Sequence, residues 1–239
     1  MAALKAMADR LGLVALMDRH LPLSRRPLSI GTTLWLAASN RAVWPCAKRG
    51  WAAWAPRPSL PPLVTIRPAA RTSPYFWDQL EAVWASALEA IEADLTRKVI
   101  QEGPLPLETL CYDTTNFFPS IASCNARSAR AQRGHSTQQR TDLRPFRLAL
   151  LVARDGPMPL SAHGDEGPVV DAQQLPDSWT ALRQRVERIV GHLEDLPLVY
   201  DQGNNAKTHP ALVDAEPGHS VASWVPQHSP DRMAMPTRR

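Results

Sequence analysis

Two short apolar runs in this sequence each end in an aspartate that small polar residues follow. Residues 110–112 precede Asp113, and residues 197–200 precede Asp201. Each pattern predicts a short buried strand that brings one carboxylate to the edge of a sheet. Hard cations such as Mg²⁺ or Mn²⁺ prefer carboxylate oxygen, and paired metals can clamp both reacting oxygens of a phosphodiester. The pair of aspartates therefore predicts a metal-dependent phosphoryl-transfer site.

Each aspartate could also have a purely structural role. Asp and Asn favour turns, so Asp113 before Thr-Thr-Asn and Asp201 before Gln-Gly-Asn-Asn could each simply end a strand. The pair is stronger evidence than either residue alone, because both aspartates follow an apolar run that ends in Tyr. Asn116, Asn204 and Asn205 could contact the site, but turn positions are the simpler interpretation of all three.

A basic segment lies between the two aspartates, at residues 125–147. It contains six arginines and a single acid, Asp142. One interpretation is a surface that contacts phosphates beside the active site, and the other is a solvated loop. The candidate DNA-contacting arginines are Arg127, Arg130, Arg133, Arg140, Arg144 and Arg147.

Composition restricts the class of protein. The chain has 239 residues and is 44% hydrophobic, which is enough for one large domain or two small ones. No apolar run reaches the roughly 18 residues of a membrane span, and the N-terminus lacks a secretory layout. The three cysteines are widely spaced, without a CxxC pair, and suit a reducing compartment. We expect a soluble cytoplasmic protein, whose net charge of +4 permits a polyanionic partner without requiring one.

The first part of the chain, residues 1–54, is predicted to be helical. Its first apolar residues recur every three or four positions, as on one helix face: Leu4, Met7, Leu11, Val14 and Met17. Prolines within residues 20–27 break this pattern, and Ser29 opens a second apolar stretch. Two short helices near Arg25 and Arg26 could form a DNA-binding unit, or a domain that serves packing alone.

A proline-rich segment and a helical segment come next. Residues 55–74 contain six prolines, which predict a semi-rigid linker because proline fixes φ and lacks a backbone donor. Residues 75–103 keep the helical period and predict one long connecting helix. Ser73 is its predicted N-cap, Pro74 its first residue, and Gly103 marks its end.

Residues 104–239 are predicted to form a mixed α/β core. The order of elements is strand, hairpin, helix, strand, helix, strand, and it predicts a mixed sheet with helices on its faces. A turn is predicted at Asp155-Gly156, and a helix after Asp177 or Ser178. The predicted strands are residues 110–113, 147–153, 158–162, 198–201 and 221–225.

Several ordered motifs resemble insertion-sequence DDE transposases over nearly the whole chain, from about Ala3 to about Pro236. The motifs are residues 110–118, 131–136, 142–144, 148–156 and 199–205. The resemblance implies a helical N-terminal domain before a ribonuclease-H-like catalytic core, and the predicted strand order is compatible with that fold. It implies that Asp113 and Asp201 are catalytic acids and metal ligands, and that double-stranded DNA at element ends is the substrate. It also implies that His135 lies near the DNA or the active site.

Two features depart from the family's pattern. Residues 163–171 replace a Gly-Asn and Asp element, and the family's third acid, a Glu on a later helix, has no counterpart after Asp201. Glu216 lies in a predicted loop. We therefore expect a truncated chain that is weakly active or inactive, because losing one of three acidic ligands impairs metal placement.

Two other functions stay open at this point. One is a non-enzymatic DNA-binding remnant, which would compete with full-length transposase or associate with it, and a homo-oligomer is compatible with either role. The other is a standalone ribonuclease-H-like nuclease, which would need a third acid within this chain.

Overall fold

The structure is a computed structural model that describes most of the first half of the chain and the main strands of the second. The described residues are 1–24, 26–103, 108–117, 146–154, 156, 158–166, 184–189, 196–200 and 220–222. The chain divides into two compact units, Met1–Gly103 and Pro104–Arg239. No described helix is both long enough and apolar enough to cross a membrane.

The first unit is helical. Two short 3₁₀ turns, Lys48–Gly50 and Pro68–Arg71, separate some of its helices. The helices are α1 (Ala2–Arg10), α2 (Leu13–Asp18), α3 (Ile30–Val43), α4 (Trp51–Trp54), α5 (Ser73–Glu81) and α6 (Ala85–Glu102).

The first apolar stripe forms two helices rather than one. Gly12 separates α1 from α2 and has a φ of 60°, in the left-handed region that glycine adopts without a steric penalty. The apolar residues keep the helical period on both sides of Gly12, so the periodicity did not predict the break between the two helices. Helix α3 begins where the sequence predicted, because the Ser29 hydroxyl accepts a hydrogen bond from the Thr32 N–H at 3.1 Å.

The proline-rich residues 55–74 differ from the predicted spacer, because they contribute buried side chains to the core of this unit. Leu60 is fully buried, and Ile66 is nearly so. The Trp51 indole donates a hydrogen bond to the Ala70 carbonyl at 2.9 Å, and its ring centroid lies 4.9 Å from that of Phe76. Proline prevents long regular elements here but leaves short turns that pack well.

The predicted long helix over 75–103 is in fact α5 and α6. Trp84 between them has extended backbone, while Ala82 and Val83 pack against the core of the unit. No Gly or Pro marks this break, so packing rather than local sequence determines it. The N-cap of α5 is Thr72, one residue before the predicted Ser73, because the Thr72 hydroxyl accepts the Tyr75 N–H. Helix α6 ends before Gly103, as predicted.

The second unit contains a five-stranded mixed sheet in the order β3-β2-β1-β4-β5. Strand β2 is antiparallel to β1 and β3, whereas β1, β4 and β5 are parallel. This arrangement confirms the mixed α/β class and is compatible with the ribonuclease-H-like fold. The strands are β1 (Leu110–Phe117), β2 (Phe146–Ala153), β3 (Met158–Glu166), β4 (Leu198–Tyr200) and β5 (Ser220–Ala222).

One face of this sheet is well buried. Alternate residues of β1, β2 and β4 point to it, and Val186 of the helical residues 184–189 packs against them. The buried residues of these three strands are Leu110, Tyr112, Ala149, Leu151, Ala153, Leu198 and Tyr200. Strand β2 was predicted to be buried on both faces, but Leu148, Leu150 and Val152 are only half-buried. The opposite face is therefore less covered by the described residues.

A proline within β3 is accommodated by irregular pairing. Pro159 pairs with Val152, and the register shifts between Leu151 and Val152. In the described sheet β3 pairs with β2 on one side only, so the missing N–H of Pro159 is tolerated.

Candidate active site

The two strands that precede the candidate aspartates are neighbours in the sheet. Strands β1 and β4 are parallel, and their register pairs Leu110 with Leu198 and Tyr112 with Tyr200. Each of these tyrosines is the residue immediately before a candidate aspartate. Asp201 itself lies outside the described residues, so its proposed role stays a prediction.

Asp113 lies in the middle of β1 rather than at its end. The strand continues to Phe117, because the β-branched Thr114 and Thr115 favour extended structure over a turn. The cross-strand partner of Asp113 on β2 is Leu150. Asp113 alternates with the buried Tyr112 and is itself exposed, so its carboxylate lies on the less covered face of the sheet.

The carboxylate of Asp113 is suited to bind a hard cation. Its Oδ1 accepts a hydrogen bond from the Thr114 N–H at 2.8 Å, and its Oδ2 has no hydrogen-bond partner among the described residues. Apart from the carboxylate, this face carries half-buried groups, including Cys111, Leu150 and Val199. The exposed carboxylate of Asp113 is therefore accessible to a cation.

A complete ligand set is not found within the described residues. No group of three or more His, Cys, Asp or Glu side chains in that part of the chain is arranged to hold a metal ion. Asp113 fits a Mg²⁺ or Mn²⁺ site as one ligand of several, since such ions take oxygen ligands and keep bound waters.

The predicted DNA-contacting residues lie almost entirely outside the described part of the chain. Arg147 belongs to β2, where its Cα is paired with those of Asn116 and Asp165. The residues outside are Arg127, Arg130, Arg133, His135, Arg140 and Arg144. Their role in DNA binding stays a prediction.

A charged cluster in the helical unit was not predicted from the sequence. His20 Nε2 lies 2.8 Å from Asp94 Oδ2, Arg97 bonds the other carboxylate oxygen, and Arg19 lies 3.9 Å away. The hydrogen bond from His20, followed by that from Arg97, lowers the pKa of Asp94. Because His20 and Asp94 are 74 residues apart in sequence, no spacing pattern could reveal the pair.

This charged cluster borders a cleft of about 550 Å³ between the α1–α2 turn and α6. Cations line the cleft, but each of the main ones is paired with an acid. Arg10 lies 3.3 Å from Glu102, and Lys98 lies 3.0 Å from the same carboxylate. The four cations share two carboxylates of α6, so their ion pairs link α1 and the end of α2 to α6.

Comparison with known proteins gives only distant likenesses. No protein-family model and no curated protein matches the sequence. The matching solved structures include a Mos1 transposase paired-end complex with the left transposon end, with a TM-score of 0.35, 9% identity, and coverage of 88% of this chain and 63% of that chain. A pre-cleavage Mos1 transpososome matches with a TM-score of 0.34, 9% identity and coverage of 88% and 64%. The chain therefore spans less than two thirds of these proteins, and at such scores neither likeness assigns a function.

Proposed function

We propose that this chain is a DDE-type transposase protein, whose class of reaction is metal-dependent cleavage and joining of DNA at the ends of an insertion sequence, and that this chain alone is weakly active or inactive. The observation that supports the proposal is the parallel pairing of β1 and β4, with Tyr112 and Tyr200 as register partners. Asp113 and Asp201 are the next residues in the sequence. Neighbouring strands lie about 4.8 Å apart, so a register that continued by one residue would bring both carboxylates to shared cations.

In this proposal Asp113 supplies a carboxylate oxygen from a fixed position, because β1 is paired with β2 at Asp113 and with β4 up to Tyr112. Asp201 supplies the second oxygen. Bound Mg²⁺ or Mn²⁺ provides activation of the attacking hydroxyl and stabilisation of the leaving oxygen. Rigid placement of the acids matters because small misplacements of catalytic groups cost rate heavily.

The basic segment has a supporting role in the proposal. Its arginines would contact phosphates of double-stranded DNA and offset the negative charge that develops in phosphoryl transfer. His135 would lie near the DNA. The proposed set is Arg127, Arg130, Arg133, His135, Arg140, Arg144 and Arg147.

Two catalytic acids, Asp113 and Asp201, are proposed for this chain, whereas the transposase family that it resembles uses three. We therefore expect this chain alone to cleave DNA weakly or not at all. Its partners would be double-stranded element ends, and a second copy of itself or a full-length transposase could complete the assembly. The second candidate function is a non-enzymatic DNA-binding protein, and the excess of arginine over acid in residues 125–147 favours it.

Strand cleavage separates the two functions. The purified chain is incubated with a supercoiled plasmid that carries the DNA flanking its coding sequence, with Mg²⁺, with Mn²⁺ or with EDTA. Metal-dependent nicking that Asp113→Asn and Asp201→Asn each abolish supports the enzyme. Asp9→Asn is the matched control, since it removes the same charge from an exposed position of α1.

DNA binding without nicking under every metal condition supports the non-enzymatic function. Nicking that survives both aspartate substitutions contradicts the proposed active site. The absence of DNA binding at low salt contradicts both functions.

A further inference from the structure

A long stretch of the helical unit contains no acidic residue. Between Asp18 and Asp78 the sequence has nine Lys and Arg residues and no Asp or Glu. The last four of these cations before residue 60 are Arg41, Lys48, Arg49 and Arg57. They follow the middle of α3 and surround the 3₁₀ turn and α4, so the positive charge is concentrated in one part of the fold.

None of these four cations has an ion pair among the described residues, and Arg67 and Arg71 share this property. Lys5, Arg10, Arg19, Arg26, Arg97 and Lys98 each lie within 4.0 Å of a carboxylate. A cation without such a pair has no carboxylate to leave when it meets an external anion. The stretch from Arg41 to Arg57 holds four of the six described cations of this unit that lack an ion pair, and it is therefore well suited to a polyanion.

Two of these cations lie over the rings of partly exposed tryptophans. The Arg57 guanidinium lies 3.7 Å from the ring centroid of Trp44, and Lys48 Nζ lies 5.1 Å from that of Trp77. Trp44 is 50% exposed and Trp77 is 47% exposed. Each indole thus presents apolar area to solvent beside a fixed positive charge. Burying either ring would be favourable, and the adjacent cation selects an anionic partner.

A cleft of about 270 Å³ lies beside these groups. Its lining includes Arg41 and Lys48 at the rim and Trp51 and Phe76, which are buried. Lys48 both lines the cleft and covers Trp77, so the cleft, the cation and the exposed indole form one surface. Asn40 also lines the cleft and donates a hydrogen bond to the Trp44 carbonyl at 2.9 Å, which places Trp44 and the Arg57 above its ring near the same cleft. We call Trp44, Trp77, Arg41, Lys48 and Arg57 the tryptophan surface.

We propose that the tryptophan surface binds single-stranded nucleic acid, with bases stacked on the indoles and phosphates beside the cations. Alternating aromatic and cationic groups are what strand-binding grooves use, because every base has a stacking face and every linkage has a charge. Bases inside a duplex are already stacked and cannot reach an indole without being unpaired. An acidic peptide would use the cations but would leave the indole faces without planar partners.

Strand binding at this surface is independent of the proposed catalytic site, because it uses only residues of the helical unit and needs no metal. Binding is measured in EDTA, by fluorescence anisotropy of a labelled 20-nucleotide dT strand and of a labelled 20-base-pair duplex. The expected result is tighter binding of the single strand, with quenching of tryptophan fluorescence. A chain that does not bind the dT strand could still nick the plasmid, and a chain that does not nick the plasmid could still bind the dT strand. The two experiments therefore test the two proposals separately.

The decisive variants are Trp44→Ala and Trp77→Ala. Each should weaken dT binding by about tenfold, since stacking contributes about 1–3 kcal/mol per base. Trp84→Ala is the matched control. Trp84 is also 50% exposed, but no cation lies over its ring among the described residues, and its loss should change binding less than about twofold. Thermal unfolding of each variant shows that the helical unit remains folded.

The cations are tested separately. Lys48→Gln and Arg57→Gln should each reduce the slope of log affinity against log salt by about 0.7 for every phosphate that the variant no longer neutralises. Three outcomes overturn the inference: no binding of dT in low salt, equal weakening by Trp84→Ala, or tighter binding of polyglutamate than of dT.

Discussion

Tyr112 and Tyr200 are register partners on adjacent parallel strands, and both are buried on the same face of the sheet. The shared burial fixes this register, because a slip of one residue would turn one tyrosine to the opposite face. The residues that follow these two tyrosines in the sequence are Asp113 and Asp201. This relationship connects two motifs that lie far apart in sequence.

The first prediction concerns a covalent test of this proximity. In a variant in which Cys46, Cys111 and Cys124 are Ser, the double substitution Asp113→Cys and Asp201→Cys should form a disulfide on mild oxidation. Disulfides need Cα atoms about 4.4–6.8 Å apart, which neighbouring strands provide. Mass spectrometry of a tryptic digest identifies the linked peptides.

The control for the disulfide is Thr115→Cys with Asp201→Cys, which moves one thiol two residues along β1. This pair should be linked far less. Equal linkage of both pairs, or none of the first, would contradict the convergence of the two aspartates.

The second prediction concerns metal affinity. Asp113→Asn should weaken Mn²⁺ binding at least about tenfold, since an amide is a poorer ligand than a carboxylate for a hard cation. Isothermal titration calorimetry measures the affinity. Because Asp113 is exposed and its carboxylate accepts a hydrogen bond from the adjacent Thr114 N–H, the free energy of unfolding should change by only about 0.5 kcal/mol. Unchanged Mn²⁺ affinity would remove Asp113 from the proposed site.

The sequence predicted the sheet well because each strand carries its own signal. Apolar runs predicted β1, β2 and β4, and the second apolar stretch that Ser29 opens is helix α3. The break at Trp84 was missed because tertiary packing, not a local residue, determines it. The extension of β1 beyond Asp113 was missed because a turn signal in Thr-Thr-Asn competed with the strand preference of threonine.

The candidate site was predictable only in part. The pattern before each aspartate predicted two strands, but only the structure shows that β1 and β4 are adjacent and parallel. The bond between His20 and Asp94 and the tryptophan surface depend on contacts between distant residues. No periodicity or motif in one sequence encodes such contacts.

The third prediction concerns pH and the bond between His20 and Asp94. The pKa of Asp94 is lowered in the folded state, so its stabilising contribution is complete above the ordinary carboxylate pKa and is lost as the pH falls through the folded value. Asp94→Asn should therefore lower the free energy of unfolding by about 1 kcal/mol at pH 7, after allowance for solvent screening. Urea unfolding of the parent chain and of Asp94→Asn measures the difference in unfolding free energy at pH 7 and at pH 3.

At pH 3 the difference between Asp94→Asn and the parent chain should shrink, because the carboxylate becomes partly protonated. Asp9→Asn serves as the control, since Asp9 pairs only with Lys5 on an exposed helix face among the described residues. Its effect should stay below about 0.5 kcal/mol. A difference for Asp94→Asn that grew toward acid pH would contradict the sign of this linkage.

The fourth prediction concerns the close contact between α2 and α3 at Gly31. The Gly31 N–H donates a hydrogen bond to Asp18 Oδ1 at 2.7 Å, and a Cβ on Gly31 would lie 2.6 Å from that oxygen and 2.8 Å from the Val14 carbonyl oxygen. Since the carbonyl belongs to the backbone of α2, it cannot move aside as a flexible side chain can. Gly31→Ala should therefore cost about 1–3 kcal/mol of unfolding free energy, through forced separation of the helices. Gly103→Ala is the matched control, because nothing lies within 4 Å of its Cβ position and its φ of −169° suits any residue. Thermal unfolding should show a clear loss for Gly31→Ala alone, and equal melting temperatures for the two variants would contradict the close contact.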